Sequence, residues 1–100
     1  MKQPQPKTVE KEEPAIVLPK LGAIVFYRVS EWDAGRANKR RVEAAQSHEG
    51  NMLRPGDRLP LLVTKVSEKK FNGQLFLDGN DSLFIEYTKF GDNDGDCIEP

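Results

Sequence analysis

The chain of 100 residues contains one cysteine, one histidine and no long apolar run. A single cysteine excludes an internal disulfide and is typical of proteins from a reducing compartment. The first residues lack the apolar core of about 7 to 15 residues that a signal peptide needs, and no run approaches the ~20 residues of a membrane helix. We therefore expect a cytoplasmic protein that does not enter a membrane.

The sequence also lacks any motif for metal binding, phosphate binding or nucleophilic catalysis. Asp92, Asp94 and Asp96 alternate as at the start of a calcium loop, but Cys97 occupies the sixth position, where such a loop needs glycine. His48 and Cys97 have no third residue to orient them, and the acids beside Cys97 would raise the pKa of its thiol. We therefore predict a protein that is not an enzyme and has no cofactor or metal.

The net charge of −1 gives the chain no overall attraction to nucleic acid. Its charges are nevertheless unevenly distributed, because residues 20–41 have six basic and two acidic side chains, whereas residues 78–100 have seven acidic and one basic. This asymmetry predicts one basic and one acidic region on the folded surface, and solvated faces that keep a small domain soluble are the usual explanation.

Residues 1–19 differ from the rest of the chain in composition. They contain four of the seven prolines and six charges that cancel. Such a segment cannot bury enough apolar surface to offset the entropy of ordering it. We expect a disordered tail over 1–19 and a single small β-rich domain over 20–100. The apolar island Ala15-Ile16-Val17-Leu18 leaves two alternatives open, a loose sheet edge or disorder.

The strongest local signal is a β-hairpin around Asp78-Gly79-Asn80-Asp81, because two apolar runs flank a tetrapeptide of turn-forming residues. Asp78 and Asp81 are expected to cap this hairpin by accepting Asx hydrogen bonds from backbone amides. Asp57 ends the Arg54-Pro55-Gly56-Asp57 turn. All three aspartates therefore occupy turn positions at which this residue type is favoured. We therefore interpret these carboxylates as structural rather than as an acid/base pair.

Further patterns predict the remaining strands and their faces. Residues 21–29 form the first strand, with Ala23, Val25, Tyr27 and Val29 on the better core face and Ile24, Phe26 and Arg28 on the other. In the last long strand Leu83, Ile85 and Tyr87 share a face. Pro60 indicates an edge strand or the opening of a strand, and Gly73 indicates a bulge or bend. The strands are expected at 21–29, 59–66, 71–77, 82–89 and 97–98.

A helix is expected between the first two strands. Ser30 supplies an N-cap, Glu31 and Asp33 place acid in the first turn, and the helix extends to about Gln46. Trp32 is expected to anchor it to the sheet. The fold class is thus mainly β (α+β), either a small antiparallel meander or a partly open barrel of the Src-homology-3 type, with one helical insertion after the first strand.

Three segments are similar to a family of small uncharacterised proteins of tailed bacteriophages and prophages. They are residues 22–34 with Asn38-Lys39-Arg40-Arg41, then Pro55-Gly56-Asp57 with Pro60, and finally Asn72-Gly73-Gln74 with Leu77-Asp78-Gly79-Asn80-Asp81-Ser82-Leu83. The chain departs from the family at Phe84, where tryptophan is usual, and at Cys97-Ile98-Glu99, where an aromatic ending is common. The resemblance implies a phage or prophage origin, hence a bacterial host cell, and a β-rich domain, but no activity.

The candidate binding face consists of basic and aromatic side chains, namely Trp32, Arg36, Lys39, Arg40, Arg41 and Phe84. Helical spacing places Arg36, Lys39 and Arg40 on one face. The first hypothesis is a non-enzymatic module that binds a host or phage protein through exposed aromatics. The alternative is a nucleic-acid-binding accessory protein that holds phosphates on the basic helix face. The sequence does not fix the oligomeric state.

Overall fold

The computed structural model describes residues 16–43 and 51–100, which form five strands and one helix. The tail before Ile16, the predicted end of the helix at residues 44–46 and His48 lie outside the described residues. The elements are β1 (Ile24–Arg28), α1 (Glu31–Glu43), β2 (Arg58–Val66), β3 (Phe71–Phe76), β4 (Ser82–Thr88) and β5 (Cys97–Ile98). The predicted fold class is confirmed, because the structure is mainly β with a helix after the first strand.

The five strands make one antiparallel open sheet in the order β4-β3-β2-β1-β5. Strands β1 to β4 form a meander, and β5 returns to the free side of β1. There the amide of Cys97 donates to the carbonyl of Lys89 at 2.7 Å, and Cys97 forms a parallel bridge with Phe90, just beyond β4. The two edges of the sheet therefore meet at one end.

One face of β1 is buried as the alternation predicts. Val25, Tyr27 and Val29 are buried, while Ile24 and Phe26 point to the other side of the sheet and are exposed. Ala34 and Ala37 of the helix and Leu53 of the following loop also belong to the core. The inward residues of the other strands and their ends complete it: Leu61, Val63, Phe71, Leu75, Leu77, Leu83, Ile85 and Cys97. The core thus lies between one face of the sheet and α1.

The start of α1 is confirmed, but the predicted role of Trp32 is wrong. Ser30 accepts a hydrogen bond from the amide of Asp33 at 3.1 Å, as an N-cap should. The positions that face the core are Ala34, Ala37 and Arg41, which helical periodicity places on one side. Trp32 lies on the opposite side and is 77% exposed. It does not anchor the helix to the sheet.

The loop before β2 ends in the predicted turn. The amide of Asp57 donates to the carbonyl of Arg54 at 3.1 Å, and Gly56 has a φ of 89°, which a type II turn requires at its third position. Pro60 pairs with Phe26 near the start of β2. Because β2 lies between β1 and β3, Pro60 marks the opening of a central strand and not an edge strand.

The expectation that Tyr87 faces the core with Leu83 and Ile85 is wrong. The register of β3 against β4 shifts between Phe71 and Gly73, so β4 contains an extra residue opposite Asn72. Tyr87 takes up this bulge with a φ of 60°, and its amide donates to the Asn72 side chain at 2.8 Å. The alternation is reset, so Thr88 is buried and Tyr87 is 62% exposed.

Two further expectations concern Gly73 and the apolar island. Register shifts lie on both sides of Gly73, as expected, with one extra residue in β2 between Val63 and Lys65 and one in β4. Gly73 also allows close approach of β2, because a Cβ at this position would lie 2.2 Å from the Leu61 side chain and 2.5 Å from the Leu62 carbonyl oxygen. Residues 16–20 join no strand of the described sheet. Ile16 and Val17 are exposed, and Leu18 packs partly against the core.

We predict that Gly73→Ala lowers the free energy of unfolding by about 2 to 3 kcal/mol, because the new methyl group overlaps backbone as well as side-chain atoms. Urea denaturation followed by circular dichroism measures the change. Gly35→Ala is the matched control: nothing lies within 4 Å of its added Cβ, so the higher helix propensity of alanine should raise stability by about 1 kcal/mol. Equal effects of the two substitutions would contradict this packing.

Candidate functional site

The residues predicted to bind a partner lie on or beside α1. One of them, Arg41, is buried. Its side chain reaches the turn between β3 and β4, where Nε and Nη2 hold the two carboxylate oxygens of Asp81 at 2.9 and 2.7 Å. Nη1 also donates to the carbonyl of Asn51, and Nη2 to that of Asp78 at 3.4 Å. The fork of Arg41 thus joins the helix, the loop before β2 and the hairpin turn.

This pair changes the titration of both side chains. The hydrogen bond from Arg41 holds the pKa of the Asp81 carboxyl below its ordinary value of 3.8, although burial opposes the shift. The same hydrogen bond raises the pKa of Arg41. Asp81 also accepts a hydrogen bond from its own backbone amide, which likewise lowers its pKa, and Asp78 accepts from the Asn51 side chain at 2.5 Å. Both carboxylates therefore contact segments outside the turn as well.

Arg36 and Arg40 cover the free edge of β4. The guanidinium of Arg36 donates to the Phe84 carbonyl at 2.9 Å and to Asp33 at 3.0 Å. That of Arg40 donates to the Ser82 carbonyl at 2.7 Å. The outward carbonyls of an edge strand need hydrogen-bond donors. The two arginines are the donors for alternate carbonyls of β4.

The predicted basic face is therefore used mostly within the protein. Arg41 is interior, whereas Arg36 and Arg40 are 41% and 47% exposed at the side chain and already donate to β4. Lys39 is exposed and lies 4.0 Å from Glu43. Sequence reasoning placed Arg36, Lys39 and Arg40 on one face correctly, but it missed Asp81, Asn51 and the carbonyls of β4, which are distant in sequence.

A buried polar cluster fixes the first turn of α1. The Asp33 carboxylate accepts from the hydroxyls of Tyr27 and Ser30, the latter at 2.9 Å, and from Arg36. Burial and the bond to Asp33 raise the pKa of the Tyr27 phenol. Because Asp33 takes the inward position, its neighbour Trp32 must point away from the core.

Trp32 stands between two surface concavities. One, of about 600 Å³, is lined by Glu31, Trp32, Gly35, Arg36 and Lys39. The other, of about 430 Å³, lies between α1 and β4, and its lining includes Trp32, Arg36, Phe84 and Glu86. Phe84 is 45% exposed, as expected for an outward-facing aromatic. Trp32 and Phe84 thus both contribute atoms to the lining of the smaller concavity.

The described residues contain no group of three or more histidine, cysteine or acidic side chains placed to hold a metal ion. Of the alternating aspartates, Asp96 accepts from the Asn93 amide and from Lys89, both at 3.2 Å, so it braces its own loop. Within these same ranges, no helix is long and apolar enough to span a bilayer. Comparison of the chain with known protein families, with curated proteins and with solved structures finds no match.

Cys97, the first residue of β5, is fully buried, and its sulfur lies 3.8 Å from the hydroxyl of Thr88. Burial, more than the neighbouring Asp96, raises the pKa of the thiol to about 11. A thiol that is both inaccessible and protonated at neutral pH is a poor nucleophile. Cys97 is thus a residue of the hydrophobic core.

We predict that Arg41→Ala lowers the free energy of unfolding by about 3 kcal/mol, because it leaves the Asp81 carboxylate partly buried without its partner. Lys39→Ala, which removes only an exposed contact, should cost less than 1 kcal/mol. Urea denaturation followed by circular dichroism at pH 7 distinguishes them. A small loss in the Arg41 variant would show that the buried fork does not hold the helix.

The lowered pKa of Asp81 also predicts a pH dependence. A carboxylate whose folded pKa is depressed contributes fully above its unfolded value, near 3.8, and loses that contribution as the pH falls through the folded pKa. Asp81→Asn should therefore flatten the loss of stability below about pH 4. Asp92→Asn changes an exposed acid and should leave the dependence of the free energy of unfolding on pH in this acidic range as in the original protein.

Native Cys97 should react with a disulfide reagent at pH 8 at least about 100-fold more slowly than in urea, because the thiolate is disfavoured and buried. Absorbance of the released thiol measures both rates. A native rate equal to that of the unfolded chain would contradict the burial of Cys97.

Proposed function

We propose that the protein is a non-enzymatic protein-interaction module, encoded by a phage or prophage, that docks on a host or phage protein through the surface around Trp32. The observation that supports this most is the 77% exposure of Trp32 on a helix whose inward positions are occupied by other residues. The proposed origin, and with it the cytoplasm of a bacterial host as location, rests on the sequence motifs alone.

The exposed tryptophan has a large potential contribution to binding. A tryptophan side chain presents up to about 250 Å², so burying the exposed fraction in a partner contributes roughly 4 kcal/mol before the costs of association. Tryptophan is also the type most enriched among residues that dominate interface energies. Its position supports docking more than folding, because it adds nothing to the core.

The surroundings of Trp32 have the arrangement of a binding site. Glu31, Arg36 and Lys39 form a polar rim of mixed charge around the ring, and the two concavities on either side offer space for partner side chains. Apolar anchors inside a polar rim are the usual anatomy of protein interfaces. Phe84 also contributes to the lining of the smaller concavity.

Nucleic-acid binding is less well supported by the same contacts. A phosphate would have to compete with the β4 carbonyls for Arg36 and Arg40, and Arg41 is out of reach of any external ligand. Lys39 remains exposed, and one phosphate contact gives only a weak, salt-dependent affinity. The single function proposed is therefore protein binding.

Trp32→Ala is expected to abolish capture of the partner without unfolding the protein. Tagged protein at fixed concentration is incubated with lysate of phage-infected bacteria, and captured proteins are quantified by mass spectrometry. At least one protein should fall by about 30-fold or more in the variant, the effect of losing an interface anchor. Melting curves should coincide with those of the original protein, since Trp32 is not part of the core.

Val42→Ala is the matched control, because Val42 is 60% exposed on the same helix but away from the cleft. Its captured proteins should be unchanged. If no captured protein depends on Trp32, the proposal fails. Fluorescence anisotropy with labelled DNA at low salt tests the alternative, and Lys39→Glu is the suitable variant, because changes at Arg36 or Arg40 would also disturb the β4 edge.

A further inference from the structure

The outer face of the sheet, opposite the core, is apolar across all five strands. The strand register places Ile24, Leu62, Gln74 and Phe84 in one row across the sheet. A second row contains Ile98, Phe26 and Pro60, and then Phe76 and Ser82. Residues opposite each other in an antiparallel sheet point to the same side. The outer face is defined here as these two rows.

Four large side chains of the outer face are strongly exposed: Ile24 at 62%, Phe26 at 53%, and Phe76 and Phe84 at 45% each. Leu62, Pro60 and Ile98 are half-buried among them. A sheet with apolar side chains on both faces is normally covered on both. Here α1 packs with the core face, so no element among residues 16–43 and 51–100 covers the outer face.

The chain has little of its own with which to cover this face. Residues 1–15 and 44–50 contain only Met1 and Val9 as large apolar residues, and they are otherwise alanine, proline, glycine, charged or polar. A layer over seven apolar side chains needs a comparable apolar surface. These two segments do not offer such a surface, whereas a second molecule can.

The charge distribution selects the kind of molecule. In a two-fold symmetric pair the same patch meets itself, so charges near the axis repel. The two rows of the outer face contain no charged residue; Arg28 and its cross-strand neighbour Arg58 lie beyond them at one end, and Glu86 lies beyond them at the other. We propose that two copies of this chain pack face to face through the outer face, each completing the other's second layer.

The size of the patch sets the expected affinity. Five strands about 4.8 Å apart, with two rows about 7 Å apart, give a patch of roughly 24 by 14 Å. Such an area lies within the range of a large exposed patch on a monomer and below the ~800 Å² per partner of a standard interface. Identical twisted sheets can pack aligned at about 30°. The pair is therefore a weak dimer that dissociates on dilution.

Multi-angle light scattering and sedimentation equilibrium test the dimer from about 5 to about 500 µM, a range that spans micromolar dissociation constants. The mass should rise from that of one chain, 11.3 kDa, toward twice that value. The double variant Phe26→Thr, Phe76→Thr keeps residues suited to strands and should weaken the dimer at least 10-fold. Leu21→Thr, at a site 69% exposed outside the strands, should leave it unchanged.

Amide NMR shifts between low and high concentration should be confined to β1, β2, β3 and the outward residues of β4. A protein that keeps the mass of one chain at the highest concentration overturns the proposal, as does a dimer that the double variant does not weaken. A monomer that captures a different protein through Phe26 and Phe76 also overturns it. Trp32→Ala should not change the dimer, so the two proposals fail separately.

Discussion

The bidentate contact between Arg41 and Asp81 determines how the helix lies on the sheet. It is the point at which α1, the loop at Asn51 and the β3–β4 turn are held together. With Arg41 fixed inside, the helix has one rotation available, which places Ala34 and Ala37 on the core and Trp32 on the outside. The exposed surface of α1 is thus a consequence of a buried ion pair.

The same pair is one reason why part of the predicted basic face makes contacts within the protein. Spacing alone predicts that Arg36, Lys39 and Arg40 share a face, and they do. It does not show that a strand edge lies beside that face, or that Arg41 has a carboxylate within reach. Arginine suits this structural role because its planar fork satisfies several oxygen acceptors at once, which a lysine at the same position would not do.

Local rules predicted most of the fold. The N-cap at Ser30, the Arg54–Asp57 turn and the buried face of β1 follow from residues within a few positions of one another. The failures at Trp32 and Tyr87 have a different origin. One depends on which helix side meets the sheet and the other on a bulge that shifts strand register, and both are set by contacts between distant segments. The apolar outer face was visible in the alternation of β1, but its continuation across five strands required the pairing register.

The arginine caps on β4 have a counterpart at the other side of the sheet, where β5 is only two residues long. Neither border is thus a good template for a further strand. Both borders thus disfavour growth into a fibre by adding chains side by side, which leaves the exposed apolar face, and not the edges, as the surface open to contact with other molecules.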